Sequence, residues 1–303
     1  MAVIISTEQA FADCQRLATT HYENFSVLSW FLPRALRPHF SSVYAFCRHT
    51  DDLGDEGATT PDERLALLDD WETDLRRCFT PDGQPDHLYL IALRETIRRF
   101  DLPDEPFLRL IEANRMDQRA NRYGAYADLR RYCEHSANPV GRLVLMLYGY
   151  REAERQRHSD AICTALQLTN FWQDVARDYH DRNRIYLPVE DMARFGYSEA
   201  ELARGEVTPA FRALMAFEVT RARRLFYAGM PLLERLGGLP RRAIALFALG
   251  GLEVLAAIER RSYDVLSERP TLSRRRKLWL MARVALPMPG IGNKQSRSHY
   301  VSG

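Results

Sequence analysis

Carboxylates at helical spacing, in two places far apart in the chain, constrain this sequence more than any other feature. The first segment is Asp51-Asp52-Leu53-Gly54-Asp55; the second, more than a hundred residues later, runs Gln167, Asn170, Asp174, Asp178. Four-residue spacing stacks side chains one turn above another, so each segment offers an acidic stripe along one helix face. One such stripe alone is ordinary. On a solvated helix it pairs with bases at i,i+4, and Arg177 and Arg182 are placed to do so. The second stripe, however, sits in apolar sequence, with Ala165-Leu166 before it and Phe171-Trp172 within it. Polar groups there need partners if buried. Two stripes facing across a bundle repel each other unless cations lie between them. Mg²⁺ suits that place, because it takes one or two carboxylates and completes its shell with water and phosphate oxygens. Asp51, Asp55, Asn170, Asp174 and Asp178 are therefore the candidate metal ligands, and a diphosphate is the expected substrate head group. Asp52, Glu56 and Asp117 stand outside that set, as supporting or surface acids.

The remaining pattern is helical. Ser6-x-x-Gln9, Thr60-Pro61-Asp62-Glu63 and Ser198-x-x-Glu201 read as capping boxes, and Pro61 and Pro209 suit first helical positions. Phe11, Cys14 and Leu17, and further on Leu68, Trp71, Leu75 and Cys78, keep helical intervals. Alternating strand patterns are hard to find, so the expected class is all-α with ten or more helices. Breaks are expected at 54–60, 80–86, 180–184 and 237–240; none is long enough for an interdomain linker. One catalytic domain over 1–286 is expected, followed by a disordered Gly-, Ser- and Pro-rich tail over 287–303.

With 303 residues, a formal net charge of +2 and 46% hydrophobic residues, the chain can bury a sizeable core and has no global field suited to nucleic acid. Five widely spaced cysteines without a CxxC pattern read as reduced thiols, not disulfides or a zinc site. No signal peptide is recognisable, and the longest apolar stretch, 243–258, contains Glu253 and two glycines, which suits a buried core helix better than a membrane span. A cytoplasmic location is expected.

Arginines and tyrosines accompany both stripes: Tyr44 and Arg48 precede the first, and Arg184-Ile185-Tyr186 follows the second. Arginine suits bidentate diphosphate contact, and a tyrosine face can stabilise a carbocation. The chemistry implied is metal-assisted ionisation of an allylic or cyclopropylcarbinyl diphosphate. No nucleophilic triad, GxGxxG or P-loop competes.

These residues resemble the squalene/phytoene synthase family, which uses the all-α isoprenoid synthase fold. Tyr44-Ala45-Phe46-Cys47-Arg48-x-x-Asp51-Asp52-x-x-Asp55 is similar to the family's first aspartate motif. Gln167-Leu168-x-Asn170-x-x-x-Asp174-x-x-x-Asp178 with Arg184-Ile185-Tyr186-Leu187-Pro188 is similar to its second. The resemblance spans 21–263 and implies Mg²⁺ as cofactor. It also implies catalytic roles for Tyr44, Tyr132 and Tyr186 and diphosphate contacts from Arg48, Arg184 and Asn24. The departures narrow the reading. The family's serine pair near the N-terminus is replaced in His21-Tyr22-Glu23-Asn24-Phe25; its Gly-Thr-Val-Gly becomes Ala137-Asn138-Pro139-Val140-Gly141-Arg142; Gln173 stands where condensing enzymes usually have Arg; and Gly250-Gly251 falls where many relatives place a Tyr.

Within the family the combination resembles the bacterial hydroxysqualene synthases of hopanoid biosynthesis. Such an enzyme ionises presqualene diphosphate and lets water capture the rearranged cation, between a presqualene diphosphate synthase upstream and a flavin-dependent reductase downstream. Asn138, Gln173 and His135 are the expected water-holding groups, against a plainer reading of Asn138-Pro139 as a helix kink or cap. The alternatives are a head-to-head condensing synthase and a non-catalytic scaffold; the retained acids oppose the latter, since a carboxylate cluster without metal destabilises a fold. The long hydrocarbon substrate implies a deep apolar channel and peripheral membrane contact. Arg274-Arg275-Arg276-Lys277 followed by Leu278-Trp279-Leu280-Met281 suits such a surface, although an ordinary amphipathic terminal helix with a solvated basic end is the plainer and favoured reading of that segment.

Overall fold

Caps and apolar spacing act together in this chain to make short, well-delimited helices. The Thr60/Glu63 and Ser198/Glu201 capping boxes both form, and Pro61 and Pro209 open their helices. At the N-terminus only half of the expected box is made: Ser6 accepts the Gln9 N–H (3.2 Å), while the Gln9 amide turns to Asp13. Asp101 and Asn183 take left-handed conformations (φ 48° and 51°) that end their helices. The computed structural model describes residues 6–21, 32–57 and 60–285 and is all-α across them. The helices are α1 (Thr7–His21), α2 (Arg37–Asp55), α3 (Pro61–Arg77), α4 (Leu88–Phe100), α5 (Glu105–Arg119), α6 (Tyr126–Ser136), α7 (Asn138–Leu147), α8 (Ala153–Gln173), α9 (Val175–Arg182), α10 (Val189–Phe195), α11 (Glu199–Ala203), α12 (Pro209–Gly229), α13 (Gly238–Arg260) and α14 (Arg274–Ala285). The tail expected over 287–303 lies outside the described residues.

Two large apolar clusters organise the bundle. One gathers α1 to α5 with part of α7, around Phe46, Trp71, Leu93, Phe107 and Leu143. The other gathers α6, α8 and α10 to α13, around Trp172, Phe211, Val219, Phe226 and Leu255. Helices α5 and α7 contribute to both: Ile111 and Leu143 to the first cluster, Ala113 and Leu145 to the second. Helix α8 runs through the second cluster, packed against α12, α7 and α13. Each acidic segment thus rides on a different core, and the site forms where the cores meet.

Two details depart from the sequence reading. Helix α2 continues through Gly54, because a Cβ there would meet Asn114 Oδ1 at 2.3 Å; the glycine permits a close approach of α2 to α5, not a turn. The apolar stretch 243–258 is only half buried: Ala248, Gly251, Leu255 and Ile258 face the core, while Phe247, Gly250 and Val254 keep partial exposure.

A buried charge cluster joins α10 to α12. Arg221 contacts Asp191 (2.7 Å) and Glu218 (2.9 Å) and lies over the Tyr126 ring at 3.9 Å. One guanidinium faces two carboxyls, and Glu218 is fully buried. Burial, and then the charge of Asp191, push the Glu218 carboxyl up to about 8 against the pull of Arg221.

Two expectations follow from this packing. A Cβ at Gly251 would meet the Phe226 ring at 2.3 Å, whereas one at Gly250 meets open space. Gly251→Val should therefore lose about 1–3 kcal/mol by overpacking, while Gly250→Ala gains about 0.8–1 kcal/mol of helix propensity, both read by urea denaturation. Glu218 binds its proton more tightly folded than unfolded, so the folded state carries more protons between about 4.5 and about 8. Its contribution is fully present below that window and is lost as pH rises through about 8. Glu218→Gln should flatten the thermal midpoint across that range; a variant that keeps the wild-type slope would contradict the assignment.

Candidate active site

Asn183 turns the chain back under α9, so that the Arg184 N–H reaches the Asp178 carbonyl (2.9 Å). Arg122 braces this turn through the Asn183 side chain (2.9 Å) and Glu199 (2.6 Å), and the Ile185 N–H bonds the Asn121 carbonyl (2.9 Å). The Arg184 guanidinium is thereby buried between the two acidic segments. It contacts Asp55 at 3.0 Å and Asp117 at 3.5 Å. Arg182 adds a longer contact to Asp55 (3.5 Å). Asp117, left outside the sequence-based ligand set, is in fact central: its Oδ2 accepts the Tyr132 hydroxyl (2.8 Å), and its buried Oδ1 has no hydrogen-bond partner.

On α2, Asp51 accepts a hydrogen bond from Asn114 (3.2 Å), made possible by the α2–α5 approach at Gly54, and Gln118 bonds the Gly54 carbonyl (2.9 Å). Asp51 keeps an exposed side chain while protein crowds it, as a group lining a concave surface does. That crowding, first, and the neighbouring Asp55 push its carboxyl up to about 6, against the Asn114 bond. Asp117 is raised to about 7, by burial foremost, with Arg184 and Tyr132 opposing and Asp55 and Asp51 adding. Asp178 is raised to about 6 by burial and then by Asp174. The shared leading cause is burial, with neighbouring carboxylates adding to it.

The second stripe is not one continuous helix, as four-residue spacing implied. Asp174 (φ −110°, ψ 15°) breaks it, ending α8 and preceding α9. At the break a strap from the α13–α14 connection crosses the motif. Arg269 grips both oxygens of Asp174 (2.8 Å at Oδ2), and the buried Gln173 amide donates to the Pro270 carbonyl. Neither Arg269 nor Asn114 was found from sequence. Asn114-x-x-Asp117 at helical spacing was an available signal for one, whereas nothing local marks Arg269, 95 residues from its partner.

The other candidates fall as follows. Tyr132 and Tyr186 are buried in an aromatic wall with Tyr123 and Phe171; the Phe171 and Tyr186 rings stack at 3.7 Å. Arg184 and the acids Asp117, Asp178 and Asp55 all bear electrostatically on Tyr186, so the wall adjoins the acid cluster. Tyr44 is half-buried near Arg48 on α2. Arg48 itself pairs with Asp52 and Glu56 on its own side of the helix. Asn170 is exposed. Asn138 is the first residue of α7, after Ala137 at the cap position, and its Oδ1 accepts the Thr164 hydroxyl (2.9 Å), tying α7 to α8. His135 Nδ1 bonds the Arg131 carbonyl (2.9 Å). Asn24 lies outside the described residues. The cavity bounded by Phe171, Asp178, Arg184 and Tyr186 is about 10 Å³, room for one water and not for a hydrocarbon channel. A larger groove of about 530 Å³ lies elsewhere, between α1, α2 and α4, lined by Phe11, His39 and Arg99.

The donor set fits Mg²⁺. Among the described residues no three acids, cysteines or histidines form a ready-made cage. Mg²⁺ does not need one, since each ion uses one or two carboxylates and takes its remaining oxygens from water and phosphate. The buried, unpartnered Asp117 Oδ1 marks a place where a positive partner is lacking.

Comparison with known proteins accords with this geometry. Residues 18–276 match the model of the squalene/phytoene synthase family. The 15-cis-phytoene synthase of Synechococcus elongatus is 32% identical over 287 residues, covering 91% of this chain and 92% of that protein. The crystal structure of the squalene synthase HpnC from Alicyclobacillus acidocaldarius superposes with a TM-score of 0.81 at 48% identity, covering 86% of this chain and 97% of that one. A ligand-bound dehydrosqualene synthase superposes with a TM-score of 0.82 at 27% identity, covering 92% and 96%. An all-helical bundle built on two acid segments and matching these relatives over nearly its whole length belongs to the squalene/phytoene synthase family, enzymes of isoprenoid biosynthesis that act on prenyl diphosphates.

Proposed function

We propose that this protein is a hydroxysqualene synthase, which converts presqualene diphosphate and water to hydroxysqualene and diphosphate within squalene and hopanoid biosynthesis. The carbon–oxygen bond to diphosphate breaks and its electron pair leaves with the diphosphate. The cyclopropylcarbinyl cation rearranges; a water oxygen then forms the new carbon–oxygen bond and sheds one proton. The observation that carries this reading is Gln173: a buried neutral amide, tied to the Pro270 carbonyl, stands where the resemblance places the arginine of enzymes that handle two diphosphates.

Asp51, Asp55, Asn170, Asp174 and Asp178 would hold Mg²⁺, with Asp117 at their side. When bound, the metal neutralises the departing diphosphate. Arg184, fixed between Asp55 and Asp117, adds permanent positive charge at that point, and Arg48 and Asn24 complete the diphosphate contacts. The Tyr132 and Tyr186 faces, with Tyr44, line the cation's path, and burial keeps both Tyr132 and Tyr186 hydroxyls protonated. Asn138, Gln173 and His135 are the water-holding groups. Each already makes one bond within the protein; the Asn138 and Gln173 amides retain further donor and acceptor capacity, and His135 retains Nε2. The substrate comes from a presqualene diphosphate synthase and the alcohol passes to a flavin-dependent reductase. The enzyme works in the cytoplasm against the inner membrane face; among the described residues no helix is long and apolar enough to cross a membrane.

A second reading, a head-to-head condensing synthase that joins two prenyl diphosphates, is favoured by the names of the relatives: phytoene synthase, squalene synthase and dehydrosqualene synthase. Incubation with Mg²⁺ and no reductant, using presqualene diphosphate and farnesyl diphosphate in parallel, separates the two. Alcohol formed from presqualene diphosphate alone is the expected result; consumption of farnesyl diphosphate to presqualene diphosphate or a thirty-carbon hydrocarbon would establish the condensing enzyme. In the same assay Asp51→Asn and Asp174→Asn should each lower kcat by about 100-fold or more. Circular dichroism should show an undiminished folded state in both.

A further inference from the structure

The chain's charge is unevenly spread. After Glu268 it carries eight Lys and Arg residues and no Asp or Glu, which leaves 34 basic against 40 acidic residues before that point. The near-neutral total therefore hides an acidic body with a strongly basic end, the kind of asymmetry that accompanies an anionic partner.

Helix α14 presents that end. Its inner face is anchored: Leu280 and Val284 are buried, Val284 packs with Ala243 and Ala245 of α13, and Arg276 pairs with Glu253. Its outer face carries Arg274, Arg275, Leu278 and Trp279, with Lys277 and Arg283 along the flanks. Leu278 is 64% exposed and Trp279 42% exposed, adjacent large apolar side chains turned to solvent. The guanidiniums of Arg276 and Arg283 lie over the Trp279 ring at 4.1 and 5.2 Å, which holds the indole on the surface.

We propose that the outer face of α14 is a docking surface for an anionic lipid bilayer. Arg274 and Arg275 meet the headgroups while Leu278 and Trp279 enter the interfacial layer. Basic residues beside an indole and a leucine on one helix face suit a helix lying in the membrane plane. A nucleic acid would use the charges but would leave Leu278 unburied. Position reinforces the choice. Arg269 grips Asp174 and the Pro270 carbonyl accepts from Gln173, so the strap that leads into α14 is pinned to the second acid motif. Arg274 follows Arg269 by five positions, at most about 18 Å of chain. The docked face therefore lies beside the site, where a long hydrocarbon product is released.

This inference rests on the membrane-face reading above and names the surface; its test uses no substrate, so it stands or falls apart from the reaction. The full chain is mixed with vesicles of phosphatidylcholine alone and of phosphatidylcholine with phosphatidylglycerol, and binding is read by co-sedimentation and tryptophan emission. Of the four tryptophans, Trp71 and Trp172 are buried and Trp30 lies outside the described residues, so a blue shift is assigned to Trp279 by its loss in Trp279→Phe. Binding to the anionic vesicles, weakening with salt and accompanied by a blue shift, is expected. Arg274→Glu with Arg275→Glu should weaken it at least ~30-fold, at about one kcal/mol per basic residue. Leu278→Ser should weaken it at unchanged charge, and all substitutions lie on the outer face, so thermal midpoints should hold. No binding to anionic vesicles, or equal binding by the charge-reversed protein, would overturn the proposal. So would binding to duplex DNA without binding to vesicles. A protein that turns over presqualene diphosphate but ignores vesicles sinks this inference alone, and one that binds vesicles without making alcohol sinks only the assigned reaction.

Discussion

The buried guanidinium of Arg184, held between Asp55 and Asp117, is the interaction on which the rest of the site depends. It joins α2, α5 and the turn after α9, three elements drawn from both halves of the bundle. Removing one partner of a buried ion pair typically costs about 3–5 kcal/mol, because the charge left behind has lost its water as well as its partner. That cost makes the junction a specific geometry. The left-handed Asn183, the Arg122 brace and the Asn121–Ile185 backbone bond all serve to place this one side chain.

Even with Arg184 in place, the junction holds more acid than base. Asp51, Asp117 and Asp178 are all driven upward by burial and by other carboxyls. The fold accommodates this by giving each acidic segment its own apolar core, so that two stably packed halves carry the acids to the interface. Arg269 neutralises Asp174 from a strap distant in sequence. A family whose substrate carries diphosphate gains from such a site, since an acidic junction suits a divalent cation that takes its remaining oxygens from water and phosphate.

Much of the fold was legible in the chain. Thr60, Ser198, Pro61 and Pro209 each did locally what their chemistry dictates, because a cap or a first-turn proline acts within four residues of itself. The helix break at Asp174 was not legible, since four-residue spacing survives an interruption of a single residue. Gly54 was misread as a turn because a glycine signals either conformational freedom or close approach, and only the neighbour, Asn114, tells which. The basic end of the chain was visible in composition, but its opposed anchored and exposed faces were not.

By itself, then, the sequence determined the helical class, the places where helices start, the two acidic segments and the kind of chemistry that paired acids, arginines and tyrosines imply. Those properties are set within one or two turns. The tertiary structure alone decided that Asp117 stands beside Asp55 and that Arg184 bridges these two acids. It also decided that Arg269 closes on Asp174, and that Leu278 and Trp279 are left facing outward while Leu280 and Val284 are buried. The reason is physical: burial and charge pairing are properties of what the packed cores bring together. Partners 95 residues apart share no local pattern from which their meeting could be read.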